Sequence, residues 1–172
     1  KKINKDEKIL FIFISQSGET MDTLMALKYI KKNKHSSIVI TNSLQSSMVR
    51  EADVTIPTYA DKEVGVASTK AFTCQILSLA NLSIEIGKMT NSISKNDYNK
   101  NLTILKLLPT KLKKLINDFT PEAKKIAKKL SQSDTCYFIG RNIVYPIALE
   151  GSLKLKEISY MHSEGFPGGE MK

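Results

Sequence analysis

Ile9-Leu10-Phe11-Ile12-Phe13-Ile14-Ser15-Gln16-Ser17-Gly18-Glu19-Thr20 is the stretch from which the rest of the chain is read. Six apolar residues run into a small, hydroxyl-rich turn with one glycine. A run this short and this continuously apolar predicts a strand buried on both faces, as in a parallel sheet. The following Met21-Asp22-Thr23-Leu24-Met25-Ala26-Leu27-Lys28 predicts a helix. The turn therefore joins the carboxyl end of a strand to the amino end of a helix, which is where open α/β sheets place ligands. Ser15, Ser17 and Thr20 supply hydroxyls and Gln16 an amide, and the helix start supplies N–H groups. This combination suits an anion such as a phosphate or a sugar phosphate. The same residues also suit a second reading. Ser and Thr before a helix commonly act as caps worth about 0.5–2 kcal/mol, and Glu19 and Asp22 place negative charge at the positive helix end.

Length and composition bound the options. The 172 residues suffice for one ordinary domain or parts of two. A hydrophobic fraction of 41% and a charged fraction of 25% are those of a soluble globular protein. No apolar run approaches the roughly 20 residues that span a bilayer, and the charged start leads into a strand rather than a signal peptide. Cys74 and Cys136 lie in apolar segments without metal-like spacing. They are expected to be buried free thiols of a reducing cytoplasm, and neither a metal nor a cofactor is expected. The net charge of +9 invites a nucleic-acid reading. Against it, the lysines scatter along helices at 28, 31, 32 and 34 and from 106 to 129, without interleaved aromatics to stack on bases. The excess charge can still draw in an anionic substrate.

Patterning along the chain predicts alternating strands and helices. A helix to about Lys34 is followed by a strand over 37–41, a short helix over 45–51 and a strand over 53–56 closed by Pro57. This alternation is that of a parallel sheet with helical crossovers. His35 falls in a lysine-rich loop and is expected in solvent. Residues 66–87 predict one long helix, apolar over most of its circumference, stopped at Gly87 and largely buried, at a domain or subunit interface. A polar loop follows, then an amphipathic helix over 99–117. Thr120-Pro121 predicts the start of a separate helix to Leu130. Thr135-Cys136-Tyr137-Phe138-Ile139-Gly140 reads as a buried strand, 146–163 as a helix and 164–170 as loop. One strand cannot form a sheet, so the chain is expected to be an internal piece of a longer protein or to need partner segments.

The last helix carries a second constellation. Glu150, Lys154 and Glu157 lie at i, i+4 and i+7 and share a face. Ile147, Ala148, Leu149, Leu153, Leu155 and Ile158 surround them and predict burial. An acid, a base and an acid on a buried stripe can serve proton transfer. They can equally form an intrahelical salt-bridge ladder worth a few tenths of a kcal/mol per pair, which is the commoner arrangement. Lys156 points away, and His162 reads as a cap or packed side chain.

Three stretches resemble one family. Ser15-Gln16-Ser17-Gly18-Glu19-Thr20-Met21-Asp22-Thr23 resembles the phosphosugar-binding signature of sugar isomerase (SIS) domains. Val64-Gly65-Val66-Ala67-Ser68-Thr69-Lys70-Ala71-Phe72-Thr73 and Tyr145-Pro146-Ile147-Ala148-Leu149-Glu150-Gly151-Ser152-Leu153-Lys154-Leu155-Lys156-Glu157-Ile158-Ser159-Tyr160 are similar to the isomerase half of the glucosamine-6-phosphate synthases, the glutamine–fructose-6-phosphate aminotransferases. The resemblance implies an α/β parallel-sheet SIS architecture with flanking helices and parts of two tandem SIS domains. Residues 1–90 would be the first, lacking its N-terminal strand and helix. Residues 91–120 would be a linker helix region, and 121–172 the start of the second.

The resemblance also implies transfer of glutamine-derived ammonia to fructose 6-phosphate, then isomerisation to glucosamine 6-phosphate in a cytoplasmic homodimer. Ser15, Gln16, Ser17 and Thr20 match the phosphate loop, and Val66 and Ser68 match sugar contacts. Glu157 matches the base that moves a proton between C1 and C2, Lys154 its catalytic neighbour and Glu150 a supporting carboxylate. The family's ring-opening histidine, its Schiff-base lysine, the first strand of the first SIS domain and the glutaminase domain fall outside this sequence. The chain alone is therefore expected not to complete the reaction. A fructosamine-phosphate deglycase and a non-catalytic sugar-phosphate sensor share the loop and are the alternatives.

Overall fold

The computed structural model describes residues 8–170. It divides into two compact units. The first runs to Val64 and adds Ser68–Leu102, and the second comprises Gly65–Ala67 and the residues from Thr103 onward.

In the first unit, strand β1 (Leu10–Ser15) leads into helix α1 (Met21–Lys32), strand β2 (Ser36–Thr41), helix α2 (Ser47–Glu51), strand β3 (Val54–Pro57) and helix α3 (Thr69–Met89). The three strands are parallel, in the order β1-β2-β3. Ser15 stands opposite Thr41, and Ile40 opposite Ile56. Leu24, Leu27 and Ile30 recur at the spacing of one helix face and form the core with Val39 and Met48, against which Phe11, Phe13 and Ala52 pack. Burying side chains of this size contributes about 1.5–3 kcal/mol each.

Burial on both faces, expected of β1, belongs to β2, which is buried from Ser37 to Thr41. Along β1 exposure alternates, with Leu10, Ile12 and Ile14 at 47%, 40% and 40%. The cause is position: β1 lies at one side of the sheet and only its Phe11 and Phe13 face meets the α1 core. His35, expected in solvent, is buried. Lys34 adopts a left-handed conformation (φ 61°) after α1, and the His35 N–H donates to the Ile30 carbonyl at 3.1 Å. This reversal folds the imidazole against Phe11, with ring centroids 5.5 Å apart.

At this same amino-terminal end of the strands, Asp53 fastens β2 to the start of β3. Its Oδ2 accepts from the Ser37 N–H (2.8 Å) and Ser37 hydroxyl (2.9 Å), and its other oxygen accepts from Lys31. Helix α3 starts at Thr69 and runs through Gly87 to Met89, and left-handed Asn91 follows its end. It is less buried than its composition predicts. Ala71 is its buried residue, and Ile76 and Ile86 are exposed.

The break expected near Thr120 is absent. Helix α4 is continuous over Lys95–Leu130, with Pro109 and Pro121 inside it. Its start is set by Ser94, whose hydroxyl accepts the Asp97 N–H at 3.0 Å and donates to the Asp97 carboxylate at 2.7 Å. Thr120 does not cap; its hydroxyl donates back to the Ile116 carbonyl. Each proline removes one backbone donor, and on an exposed helix water can satisfy the carbonyl left over.

The second unit contains strand β4 (Thr135–Gly140), a 3-10 turn (Asn142–Val144), helix α5 (Tyr145–Ser159) and strand β5 (His162–Pro167). Residues 164–167, expected to be loop, and 162–163, expected to be helix, thus form a second strand, parallel to β4, with Thr135 opposite His162 and Gly140 opposite Pro167. Helix α5 ends earlier than expected, at left-handed Tyr160 (φ 58°). Gly165 allows α5 to approach β5 closely: a Cβ there would lie 2.8 Å from Leu149 Cδ2 and 3.0 Å from Leu149 Cα.

The Asp53 cluster predicts acid sensitivity. Hydrogen bonds from Lys31 first and then Ser37 lower the Asp53 pKa from 3.8 to about 2. A lowered folded-state value stabilises above the unfolded value and is lost as pH falls from 3.8 toward 2. In urea titrations from neutral pH down through this window, the stability advantage over Asp53→Asn is expected to be largest at neutral pH and to shrink toward zero near the lower limit.

Candidate functional site

The loop after β1 is held by its own hydroxyls. Ser15 Oγ accepts the Gly18 N–H at 3.0 Å and lies 3.0 Å from Thr20 Oγ1. Ser17 Oγ accepts the Glu19 N–H at 3.2 Å. The Gln16 carbonyl receives the Asn42 N–H at 3.2 Å and the Thr41 hydroxyl at 3.3 Å, both from the end of β2. The Gly18 carbonyl accepts the Met48 N–H at 3.1 Å. Ser15, Gln16, Ser17 and Thr20 are therefore brought together on one turn. Thr20 is the N-cap of α1 yet makes no side-chain capping bond. The first-turn N–H groups thus lack the side-chain cap that the second reading expected, and a helix start of this kind can take an anion.

Gly18 is required by space and by backbone. Its φ is +66°, and a Cβ there would lie 2.1 Å from Ser46 Oγ and 2.5 Å from Ser46 Cβ. Glu19 does not serve α1 as the charge pattern suggested. Its Oε1 accepts the Ser47 N–H of α2 at 2.7 Å. That bond, aided by Arg50, holds the carboxyl below its ordinary range.

Beside the loop, Gln16, Asn42, Ser43, Tyr59, Asp61 and Lys62 line an open concavity of about 690 Å³. Sequence reasoning passed over Asn42 and Lys62. Asn42 carried a signal only as part of a turn after a parallel strand. Ser68 occupies the N-cap position of α3 without a side-chain capping bond. Val66, in the bend at 65–67, is 91% exposed.

On α5, Lys154 Nζ lies 2.8 Å from Glu157 Oε2 and 3.3 Å from Glu150 Oε1. One ammonium thus bridges two carboxylates. The hydrogen bond to Glu157 is the main cause that raises the Lys154 pKa, against desolvation, with Glu150 assisting. The side chains are half-buried, but the apolar surroundings are less covered than expected. Ala148 and Ser152 are buried, whereas Ile147, Leu149, Leu153 and Ile158 are exposed. Lys156 is exposed as read. His162 lies on β5 with Nε2 3.5 Å from Glu164 Oε1, and both side chains are exposed. Cys74 and Cys136 are free and half-buried rather than buried. Among the described residues no helix is long and apolar enough to cross a membrane.

The SIS domain family matches residues 2–84 and 129–172. The chain belongs to the SIS family. Its parallel strands with flanking helices are the α/β architecture of SIS proteins of known structure. It is 46% identical over 166 residues to a glutamine–fructose-6-phosphate aminotransferase [isomerizing] of Bradyrhizobium diazoefficiens, covering 95% of this chain and 27% of that one. It is 44% identical over 161 residues to the enzyme of that name from Rhizobium leguminosarum, covering 94% and 26%. The SIS chain thus spans about a quarter of the length of these curated relatives. The C-terminal domain of the glucosamine-fructose-6-phosphate aminotransferase from Francisella tularensis superposes with a TM-score of 0.83 at 42% identity, over 96% of this chain and 48% of that one.

Gly18→Ala is expected to lower stability by about 1–3 kcal/mol in urea unfolding, because the methyl meets Ser46 and the backbone resists positive φ. Ser46→Gly in the same chain should recover part of the loss. Full stability of the single variant would contradict the close packing.

Proposed function

We propose that this chain is the isomerase portion of a glutamine–fructose-6-phosphate aminotransferase and carries parts of two tandem SIS domains. It binds fructose 6-phosphate, and with glutamine-derived ammonia the full-length protein makes glucosamine 6-phosphate. Identities of 44% and 46% to enzymes of that name, over nearly all of this chain, support the activity. The observation that carries the reading is the uncapped hydroxyl loop at the start of α1.

In this reading Ser15, Gln16, Ser17 and Thr20 hold the phosphate, with Val66 and Ser68 as sugar contacts. A grip on the phosphate, remote from the reacting carbons, supplies binding energy for positioning. Glu157 is the base. It takes a proton from C1 of the open-chain C2 imine and returns it to C2 while the O1 hydroxyl proton passes to the imine nitrogen, so the ketose skeleton becomes the aldose with the amino group at C2. Lys154 orients that carboxylate through the 2.8 Å bond, and Glu150 supports Lys154 from the preceding turn. A helix holds such a base more firmly than a loop. A glutaminase domain of the full-length protein supplies the ammonia, and the protein acts as a cytoplasmic homodimer in hexosamine biosynthesis. The exposed Ile76 and Ile86 of α3 support association of two copies.

Glu157→Gln in the full-length protein tests the assignment. Product formation is expected to fall by about 10²–10⁴-fold, while fructose 6-phosphate still binds. Unchanged turnover would remove Glu157 from the role of base. A wild-type protein that binds the sugar phosphate without turning it over would be a sensor instead.

A further inference from the structure

Asn42 makes more connections than any turn residue near the loop requires. Its N–H donates to the Gln16 carbonyl at 3.2 Å. Its Oδ1 accepts the Thr58 hydroxyl at 3.0 Å and the Ala60 N–H at 2.8 Å, and its Nδ2 donates to the Asp61 carbonyl at 2.7 Å. The side chain thus uses donor and acceptor together on one short segment.

Among the described residues, local bonding holds that segment only at Asp61, whose Oδ1 accepts the Lys62 N–H at 2.8 Å. Tyr59 and Asp61 both have positive φ, at 50° and 60°. Such conformations cost free energy in residues with a Cβ and persist where surrounding bonds impose them. The carboxamide of Asn42 brackets both residues, with bonds at Thr58, Ala60 and Asp61. The far end of the segment is tied to the start of α3. Lys70 Nζ donates to the Lys62 carbonyl at 2.7 Å, and the Ala71 N–H donates to Glu63 Oε2 at 3.1 Å. Ser68 stands at that helix start. Asn42 therefore links two things within the first unit: the backbone of the loop at Gln16, and the segment that leads to Ser68.

We infer that Asn42 is a positioning residue for sugar-phosphate binding, which sets the distance between the Gln16 loop and the 58–63 wall of the concavity. The role rests on the function proposed above. It requires no contact between Asn42 and the substrate. Losing the clamp frees Tyr59 and Asp61 to leave positive φ, which moves Lys62 and the approach to Ser68. The substrate is then bound less well, while the carboxylate that performs the proton transfer is untouched.

The test uses full-length protein with Asn42→Ala and, separately, Thr58→Val, which removes one donor to Asn42 from the opposite side. For Asn42→Ala the KM for fructose 6-phosphate is expected to rise about five- to fifty-fold with kcat and the KM for glutamine little changed. Thr58→Val should shift the same KM in the same direction by less, and the double variant should show less than the product of the two effects. If Asn42→Ala fails to fold, Thr58→Val alone decides by its KM. An unchanged KM in a folded variant, or equal loss in the two substrates' parameters, overturns the role of Asn42 while normal wild-type turnover leaves the functional reading standing. A wild-type protein without fructose 6-phosphate turnover overturns both.

Discussion

The parallel pairing of β1 with β2, Ser15 opposite Thr41, is the constraint on which the loop depends. It brings the carboxyl ends of two strands side by side. The Thr41 hydroxyl and the Asn42 N–H then both reach the carbonyl of Gln16. The chain can turn back only at Gly18, since Ser46 occupies the space a side chain would need. Parallel strands also demand a crossover. Helix α1 supplies it, and burial of Leu24, Leu27 and Ile30 holds the register in place.

Charge in the two units is arranged by local partners rather than by the overall excess of lysine. Glu19 lies in the loop but is directed to the start of α2, where the Ser47 N–H and Arg50 hold it ionised. The loop is thereby left with hydroxyls and backbone N–H groups, which suit an anion. On α5 a single ammonium serves two carboxylates one turn to either side. Because the Lys154 pKa is raised above its ordinary 10.5, the ammonium at the centre of this bridge is charged at neutral pH and gives up its proton only in strong alkali.

Several elements escaped the pattern of the residues for identifiable reasons. Thr120-Pro121 has the chemistry of a helix start, yet α4 passes through it, because the helix is exposed there and water can reach the carbonyl that the proline leaves without a donor. His-Ser-Glu-Gly-Phe-Pro lacks the alternation of a strand, yet β5 forms, since pairing with β4 and the close approach of Leu149 to Gly165 decide it. His35 looked solvated among lysines, but one left-handed residue turned it onto Phe11.

Local order and chemistry were legible in the residues themselves. The apolar run of β1, the helix face of Leu24, Leu27 and Ile30, the hydroxyl loop and the Glu150–Lys154–Glu157 stripe all follow from spacing, because periodicity and short-range sterics act within a few residues. The tertiary structure alone decided which strand is buried, that Glu19 belongs to α2, and that Asn42 ties the loop to residues 58–61. Those outcomes depend on partners 16 to 28 residues away in the chain. No local pattern specifies them, since a hydrogen bond between distant segments exists only once the sheet has brought them together.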